Sequence, residues 1–333
     1  MGEPRLKPKI YVTRLLPKEG MDRIRSFCDT EVWEGDLPPP RETLLQKVRD
    51  AEGLVCLLTD RIDAELMNEA PILRVISNYA VGFDNIDLEE ATRKGIIVGN
   101  TPDVLTETTA DFTFALMLAA ARRLVEGERN VKAGVWKTWG PLILQGQDVH
   151  GATLGIIGLG RIGTAVARRA QGFGMKTLYM NPTRRKSLES ELGLHYRDFN
   201  TLLAESDFIT IHVNLSPKTH HLIGEKELEK MKGTCILVNT SRGQVVDNMA
   251  LYQALRDRKI AYAALDVTDP EPIPINHPLL TLDNVIITPH IASASVATRT
   301  KMAMMAAENL IAGLKGELPP HPVNPEALKN ADA

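Results

Sequence analysis

Short apolar runs and helically spaced apolar positions alternate along the first hundred residues. KIYVTRLL, GLVCLLT, LRVISNYA and GIIVGN read as strands, and RETLLQKVRDA and IDAELMNEA carry helical spacing between them. The alternation predicts a parallel α/β layer that contains no glycine-rich phosphate turn. From Val104 to Arg123 the pattern predicts one long helix, apolar nearly all round, which must be buried between domains or between subunits. A tryptophan-bearing connection, VWKTWGPLILQGQDVHG, follows at 135–151.

A second alternation then begins. TLGIIGLG is a strand and turn, RIGTAVARRAQGF a helix, and KTLYM, FITIHV, CILVNT, YAALDV and NVIIT are further strands, with helices such as ALYQALRDR between some of them. A last helix, ATRTKMAMMAAENLIAGLKG at 297–316, lies outside this alternation. It is expected to cross back to the first layer and make that domain discontinuous.

Length agrees with two domains, since 333 residues are too many for one ordinary core. Hydrophobic residues make up 44% and charged ones 24%, the balance of a soluble globular protein, and a net charge of −3 offers no basic field for nucleic acid. Cys28, Cys56 and Cys235 are widely spaced and form no CxxC. They argue against a disulfide framework or a metal site and fit a reducing compartment, so a cytoplasmic location is expected. The start, MGEPRLKPKIYVT, has no signal-peptide run, Leu6 breaks the myristoylation pattern, and the Ala-Asp-Ala end carries no targeting tail. FTFALMLAAA, between Asp111 and Arg122-Arg123, is too short to span a bilayer, so no membrane association is expected. No fixed-period repeat is visible.

Candidate chemistry begins at Gly158-Leu-Gly160-Arg161-Ile162-Gly163, directly between a strand and a helix. Gly158 allows the tight turn, Gly160 lets backbone N–H groups approach a pyrophosphate, and Gly163 lets the helix pack on the strand. Arg161 would add a cation near the phosphates. The next strand runs into TLYMNPTRRK, where an NAD site usually has an acid for the ribose hydroxyls. Asn181 removes that charge, Thr183 offers a hydroxyl, and Arg184 can present a forked donor to phosphate oxygens. The stretch reads as a site for NADPH in preference to NADH; its bland alternative is a solvated basic loop, and Arg185 and Lys186 are expected to face water. Further on, Arg242 follows CILVNTS, Glu271 follows YAALDVTDP and His290 follows NVIITP. Each alone has a structural explanation, as a cap, a turn residue or a structural histidine. Together, just past apolar strands, they suggest a site.

GIIGLGRIG, VNTSRGQVVD, LDVTDPEP and TPHIASAS resemble the D-isomer-specific 2-hydroxyacid dehydrogenases, in order and over nearly the whole chain. TPDVLTETTAD, WKTWGPL and EPIPINHPLLTL are most similar to the glyoxylate and hydroxypyruvate reductase branch. The resemblance implies two doubly wound parallel-sheet domains: a flavodoxin-like substrate domain at 1–102 plus 292–333, and a Rossmann cofactor domain at 103–291. It implies a homodimer built largely from 104–150. It implies that Arg242 holds the substrate carboxylate, that His290 protonates the carbonyl oxygen as hydride arrives from the nicotinamide, and that Glu271 orients His290 and favours its charged form. It places the backbone of Val81-Gly82 against the carboxylate. It implies that Asp266 and Ser293 lie near the nicotinamide carboxamide, that Thr240 contributes from VNTSRG, and that Thr109 and the loop from Asn214 to Ser216 touch the cofactor. Leu57 and Leu58 would form an apolar wall. Two positions depart from the family pattern: Ala292 stands where Gly is usual, and Asp111 where Glu is common.

Other residues tempt less. His220-His221 invite a metal reading, but no acidic or thiol partner stands at ligand spacing, and a solvated loop is favoured. His150 and His195 read as structural or surface residues. Trp136 and Trp139 read first as packing; in the reductase branch Trp139 would cap the substrate pocket. Rival functions are another family member, such as a phosphoglycerate or phosphite dehydrogenase, and a dinucleotide-sensing scaffold like the C-terminal-binding corepressors. The missing acid after the second strand, the lack of an appended regulatory domain and the basic stretch count against these.

Overall fold

The computed structural model describes residues 7–330, so the readings of the MGEPRL start and the ADA end lie outside the described residues. The chain forms two compact units, one from the residues up to Leu105 together with Ala294 onward, the other Thr106–Ser293.

In the first unit, strands β1 (Lys9–Val12), β2 (Asp29–Val32), β3 (Gly53–Cys56), β4 (Val75–Asn78) and β5 (Ile97–Gly99) lie in the order β2-β1-β3-β4-β5, all parallel. This is the flavodoxin-like order. A parallel sheet is covered on both faces, which is why GLVC and VISN are buried at every residue. Val75 enters one core with Ile10, Met302 and Leu310; Ile76 enters the other with Leu54 and Leu66. The edge strand β2, DTEV, was not predicted from the sequence, because none of its residues is buried and no apolar pattern marks it.

The final helix, Val296–Lys315, packs on this sheet. It begins at Ser295, whose side chain accepts from Thr298 N, and ends at Gly316 in the left-handed region, φ 77°. The Ser77 hydroxyl donates to Ala306 O at 2.8 Å and ties β4 to it. The helix Lys18–Phe27 crosses it so closely that a Cβ on Gly20 would lie 2.5 Å from Ala303 Cβ. That crossing helix also escaped prediction: its buried positions are Gly20, Met21 and Ile24, too few for an apolar stripe.

In the second unit, β6 (Thr153–Ile157), β7 (Lys176–Met180), β8 (His195–Tyr196), β9 (Phe208–Ile211), β10 (Ile236–Asn239), β11 (Tyr262–Leu265) and β12 (Val285–Ile287) run parallel in the order β12-β11-β10-β9-β6-β7-β8. This is a Rossmann sheet with one further strand at the β12 edge, and its direction of winding reverses between β6 and β9, the switch point at which such sheets bind ligands.

The long apolar helix is Thr106–Ala121, and it stops at Arg123, whose φ of 51° is left-handed; a second helix, Leu124–Lys132, follows and buries no residue. Within its own unit the apolar helix is covered on one side, while Phe112, Leu118 and Ala119 are only partly buried and Ala115 is exposed. Phe114, Met117 and Ala121 pack into the core of their own sheet, and Phe114 stacks on Phe173 with ring centroids 5.1 Å apart. The packing role expected first for Trp136 and Trp139 does not hold within the chain, where they are 59% and 79% exposed. No helix among the described residues is long and apolar enough to cross a membrane.

Candidate active site

The turn after β6 is built for a ligand's phosphates. Gly158 has φ 95°, and a Cβ there would lie 2.8 Å from the His212 carbonyl oxygen, so both backbone and space demand glycine. A Cβ on Gly163 would lie 2.1 Å from Gly158 O, which fixes the close seating of the helix Arg161–Gly172 on the turn. A Cβ on Gly160 would meet nothing within 4 Å. No neighbour among the described residues requires glycine there; a phosphate approaching the backbone at a helix N-terminus would. The residues therefore fit a dinucleotide, with Arg161 and Ile162 opening the helix.

Asn181, at the end of β7, does more than leave out a charge. Its Oδ1 accepts from Leu159 N at 3.2 Å and its Nδ2 donates to Thr183 O at 2.9 Å, so it staples the phosphate turn to the following loop. Arg184 directs Nε and Nη2 at the Glu189 carboxylate, at 2.7 and 2.8 Å. The Tyr179 hydroxyl donates to the same carboxylate at 2.6 Å. Arg184 and then Tyr179 hold the Glu189 carboxyl down at about 2. Thr183, Arg185 and Lys186 are exposed.

The other expected cofactor residues of this unit are anchored locally. The Thr219 hydroxyl donates to Asn214 O at 2.6 Å, Ser216 N donates to Thr219 Oγ1 at 2.8 Å, and the loop closes on itself. Thr113 donates to Thr109 O at 2.8 Å and lies 3.0 Å from the Thr240 hydroxyl, which links the apolar helix to the end of β10. Asp111 pairs with Arg169 of the neighbouring helix. His212, beside the turn, was not anticipated. Both its ring nitrogens are sealed from solvent without a partner among the described residues, and burial pushes it down to about 3, so the ring is neutral.

The catalytic candidates stand on the segments after β10, β11 and β12. Asn239 shapes the first: its Oδ1 accepts from Ser241 N at 3.0 Å, and its Nδ2 donates to Arg242 O at 2.9 Å. Arg242 Nη1 donates to Ser241 O at 3.0 Å. Asn248 Nδ2 donates to Asp269 O at 2.6 Å and joins the first segment to the second. Across the next gap, Glu271 Oε1 lies 2.6 Å from His290 Nδ1, with both side chains partly exposed. The imidazole is thus held at Nδ1.

His290 has φ 54°, a left-handed conformation costing a non-glycine residue about 1–2 kcal/mol. Asp266 sustains it. Its backbone oxygen accepts from His290 N at 2.9 Å. Its carboxylate accepts from the Thr288 hydroxyl and Ile291 N on Oδ1, at 2.7 and 2.8 Å, and from Ala292 N on Oδ2, at 2.7 Å. Burial raises the Asp266 carboxyl above its ordinary value despite these donors. The family resemblance implies a place for Asp266 near the nicotinamide; here its carboxylate accepts from Thr288, Ile291 and Ala292 of the segment that carries His290, its backbone N–H donates to Asn239 O, and Ser293 follows half-buried. Asp266→Asn would set an amide N–H against one of these donors. Misplacing a buried polar group costs about 1–3 kcal/mol, so kcat is expected to fall about 5- to 150-fold at 1.4 kcal/mol per tenfold, with cofactor affinity little changed. Steady-state kinetics beside a cofactor titration checks this.

Of the remaining residues, Leu58, Val81 and Gly82 belong to the first unit, past the ends of β3 and β4. His220 and His221 stack at 4.1 Å in a loop, and His150 and His195 are exposed. Among the described residues no group of three His, Cys, Asp or Glu could hold a metal ion.

Residues 114–292 match the model of the D-isomer specific 2-hydroxyacid dehydrogenase, NAD binding domain. The glyoxylate reductase of Korarchaeum cryptofilum is 54% identical over 97% of this chain and 98% of its own length. That of Thermococcus litoralis is 52% identical over 98% and 99%. The structure is similar to the TT0316 protein of Thermus thermophilus, with a TM-score of 0.90 at 48% identity, covering 95% of this chain and 99% of that one. It is also similar to an NADPH-dependent glyoxylate/hydroxypyruvate reductase of Sinorhizobium meliloti, solved with NADP and malonate, with a TM-score of 0.84 at 32% identity, covering 96% and 98%. The chain belongs to the D-isomer-specific 2-hydroxyacid dehydrogenases, oxidoreductases with a nicotinamide-dinucleotide domain. Within that family it stands with the proteins named glyoxylate reductase.

Proposed function

We propose that the protein reduces glyoxylate and hydroxypyruvate, to glycolate and D-glycerate, with NADPH preferred over NADH. The observation that carries the reading is the His290–Glu271 pair at 2.6 Å, which fixes an imidazole with its other nitrogen available to a carbonyl oxygen. His290 gives its proton to that oxygen, and Glu271 keeps the ring oriented and compensates its positive charge. Arg242 holds the substrate through its planar fork. The bound dinucleotide supplies the hydride; Gly158, Gly160, Arg161, Ile162 and Gly163 would hold its phosphates, and Thr183 and Arg184 its ribose phosphate. The names of the full-length relatives support the substrate class.

A homodimer in the cytoplasm completes the reading. Leu124, Val131, Val135, Trp136, Trp139 and Leu142 are each more than half exposed, an apolar surface suited to a second copy of the 104–150 region. Trp139 then caps a small pocket. The test is a panel of 2-oxoacids with NADPH. Glyoxylate and hydroxypyruvate should be the best substrates by kcat/KM, with pyruvate poorer, since its methyl group offers no partner to polar groups that receive a hydroxymethyl. Phenylpyruvate should be worst, and Trp139→Ala should improve it while slowing glyoxylate. A wild-type preference for phenylpyruvate would overturn the substrate assignment.

A further inference from the structure

Past β4 the chain makes a bend, Tyr79-Ala80-Val81-Gly82, whose carbonyl groups are turned into the first unit. Ala80 O accepts from Thr101 N at 2.9 Å, Val81 O from Asn100 Nδ2 at 2.8 Å, and Gly82 O from Asn78 Nδ2 at 2.9 Å. In a strand successive carbonyls point to opposite sides; here two in succession face the same segment, Asn100–Thr101. Both peptides are trans, so the N–H of Val81 points away from the Ala80 carbonyl and the N–H of Gly82 away from the Val81 carbonyl. Both N–H groups are therefore turned to the side opposite Asn100–Thr101. Neither has an acceptor among the described residues. Consecutive backbone N–H groups converging on one side receive an anion, and these lie past the carboxyl end of a parallel strand, where open sheets bind ligands.

We propose that Asn78 and Asn100 are positioning residues that turn this backbone into the receiver of the substrate's carboxylate. The inference rests on the 2-oxoacid reading and adds to it the side chains that make a plain stretch of backbone selective for an anion. An amide side chain suits the task, because it donates to a carbonyl oxygen while its own oxygen accepts elsewhere; a carboxylate cannot donate. Both amides are themselves fixed. Asn78 Oδ1 lies 3.5 Å from Cys56 Sγ, and its Nδ2 also reaches Asn85 Oδ1 at 3.2 Å. Asn85 in turn donates to Leu57 O and Asp60 O, each at 3.0 Å, so the loop after β3 is held by the same network. Asn100 is gripped through its backbone: its oxygen accepts from Asn309 Nδ2 at 2.8 Å, and its N–H donates to His321 O at 3.1 Å. Asn309, fully buried in the final helix, also accepts from His321 N at 3.1 Å. The final helix thus serves the substrate-side backbone as well as the core.

The test uses the full-length enzyme with Asn100→Asp and, separately, Asn78→Asp. Each replaces the donor by an acceptor of equal size and frees the carbonyl it held. KM for glyoxylate is expected to rise about 10- to 30-fold, the worth of a hydrogen bond to a charged group. KM for NADPH and kcat should stay near wild type. Methyl glyoxylate, whose ester carries no charge, should be affected much less than glyoxylate. Unchanged KM for glyoxylate, or equal losses with acid and ester, would overturn the proposal. In the wild type, the amide signals of Val81 and Gly82 should shift when glycolate is titrated into the NADP-loaded protein. If neither moves, the proposal fails however the variants fold. A wild type that does not reduce glyoxylate at all defeats the functional reading instead, whereas an active wild type with unmoved variants defeats this inference alone.

Discussion

Replacing His290 by Ala should lower kcat for glyoxylate reduction by about 10²- to 10⁴-fold, the usual worth of a positioned general acid. In the proposed reaction His290 carries the proton that the carbonyl oxygen needs as the alcohol forms, and among its described neighbours Glu271 meets it at Nδ1. Because His290 stands at φ 54°, Ala would also lose some of the local conformation. Asn tolerates the left-handed region far better than most residues. His290→Asn is therefore the better control: it keeps the backbone and removes the acid, and should lose as much as His290→Ala. Glu271→Gln should lose less, since the amide oxygen can still hold the ring at Nδ1. Dinucleotide affinity should survive all three changes, as the phosphate turn and the loop after β7 lie on other segments. If His290→Asn kept wild-type kcat, the proton would come from elsewhere.

The second large effect concerns cofactor choice. Arg184→Ala should weaken NADPH about 10- to 100-fold in kcat/KM and NADH hardly at all, the loss of one or two charge-assisted bonds to a 2′-phosphate. The geometry sharpens this expectation. A guanidinium has five N–H groups, and Arg184 uses its Nε–H and one on Nη2 to meet Glu189. The rest of the fork remains for a ligand, and the pairing keeps the exposed side chain from sampling many rotamers before the cofactor arrives. Equal losses with both cofactors would show that Arg184 stabilises the loop and reads no phosphate; Thr183, Arg185 and Lys186 would then be the next candidates.

Much of this was legible in the sequence because parallel strands buried on both faces leave unbroken apolar runs. KTLYM, FITI, CILVN and YAAL needed no further information. Elements without that signature were missed. β2 is a charged edge strand, β8 has two residues, and the helix Lys18–Phe27 packs through a glycine. The glycine turn, Arg242, Glu271 and His290 were legible by residue type and by their place after strands. Of the side-chain contacts, only the Glu271–His290 pair was reached beforehand, through the family resemblance. Asp266 holds the segment carrying His290 through three hydrogen bonds to residues more than twenty positions away, a relation that only folding creates. Asn181 likewise joins two loops, and its neighbour in that contact, Leu159, carries no chemical hint. The inward carbonyls of Ala80, Val81 and Gly82 are a backbone property that no side-chain pattern encodes.

The central claim is that this chain moves a hydride from a reduced nicotinamide to the carbonyl carbon of a small 2-oxoacid. The most direct measurement follows, in one reaction with purified wild-type protein, the loss of NADPH absorbance and the appearance of product by chromatography, with glyoxylate as substrate. One glycolate should appear for each NADPH consumed, and NADPH carrying deuterium on the transferred face should leave that deuterium on the glycolate carbon. NADPH stable in the presence of glyoxylate, or oxidised without glycolate forming, would contradict the account.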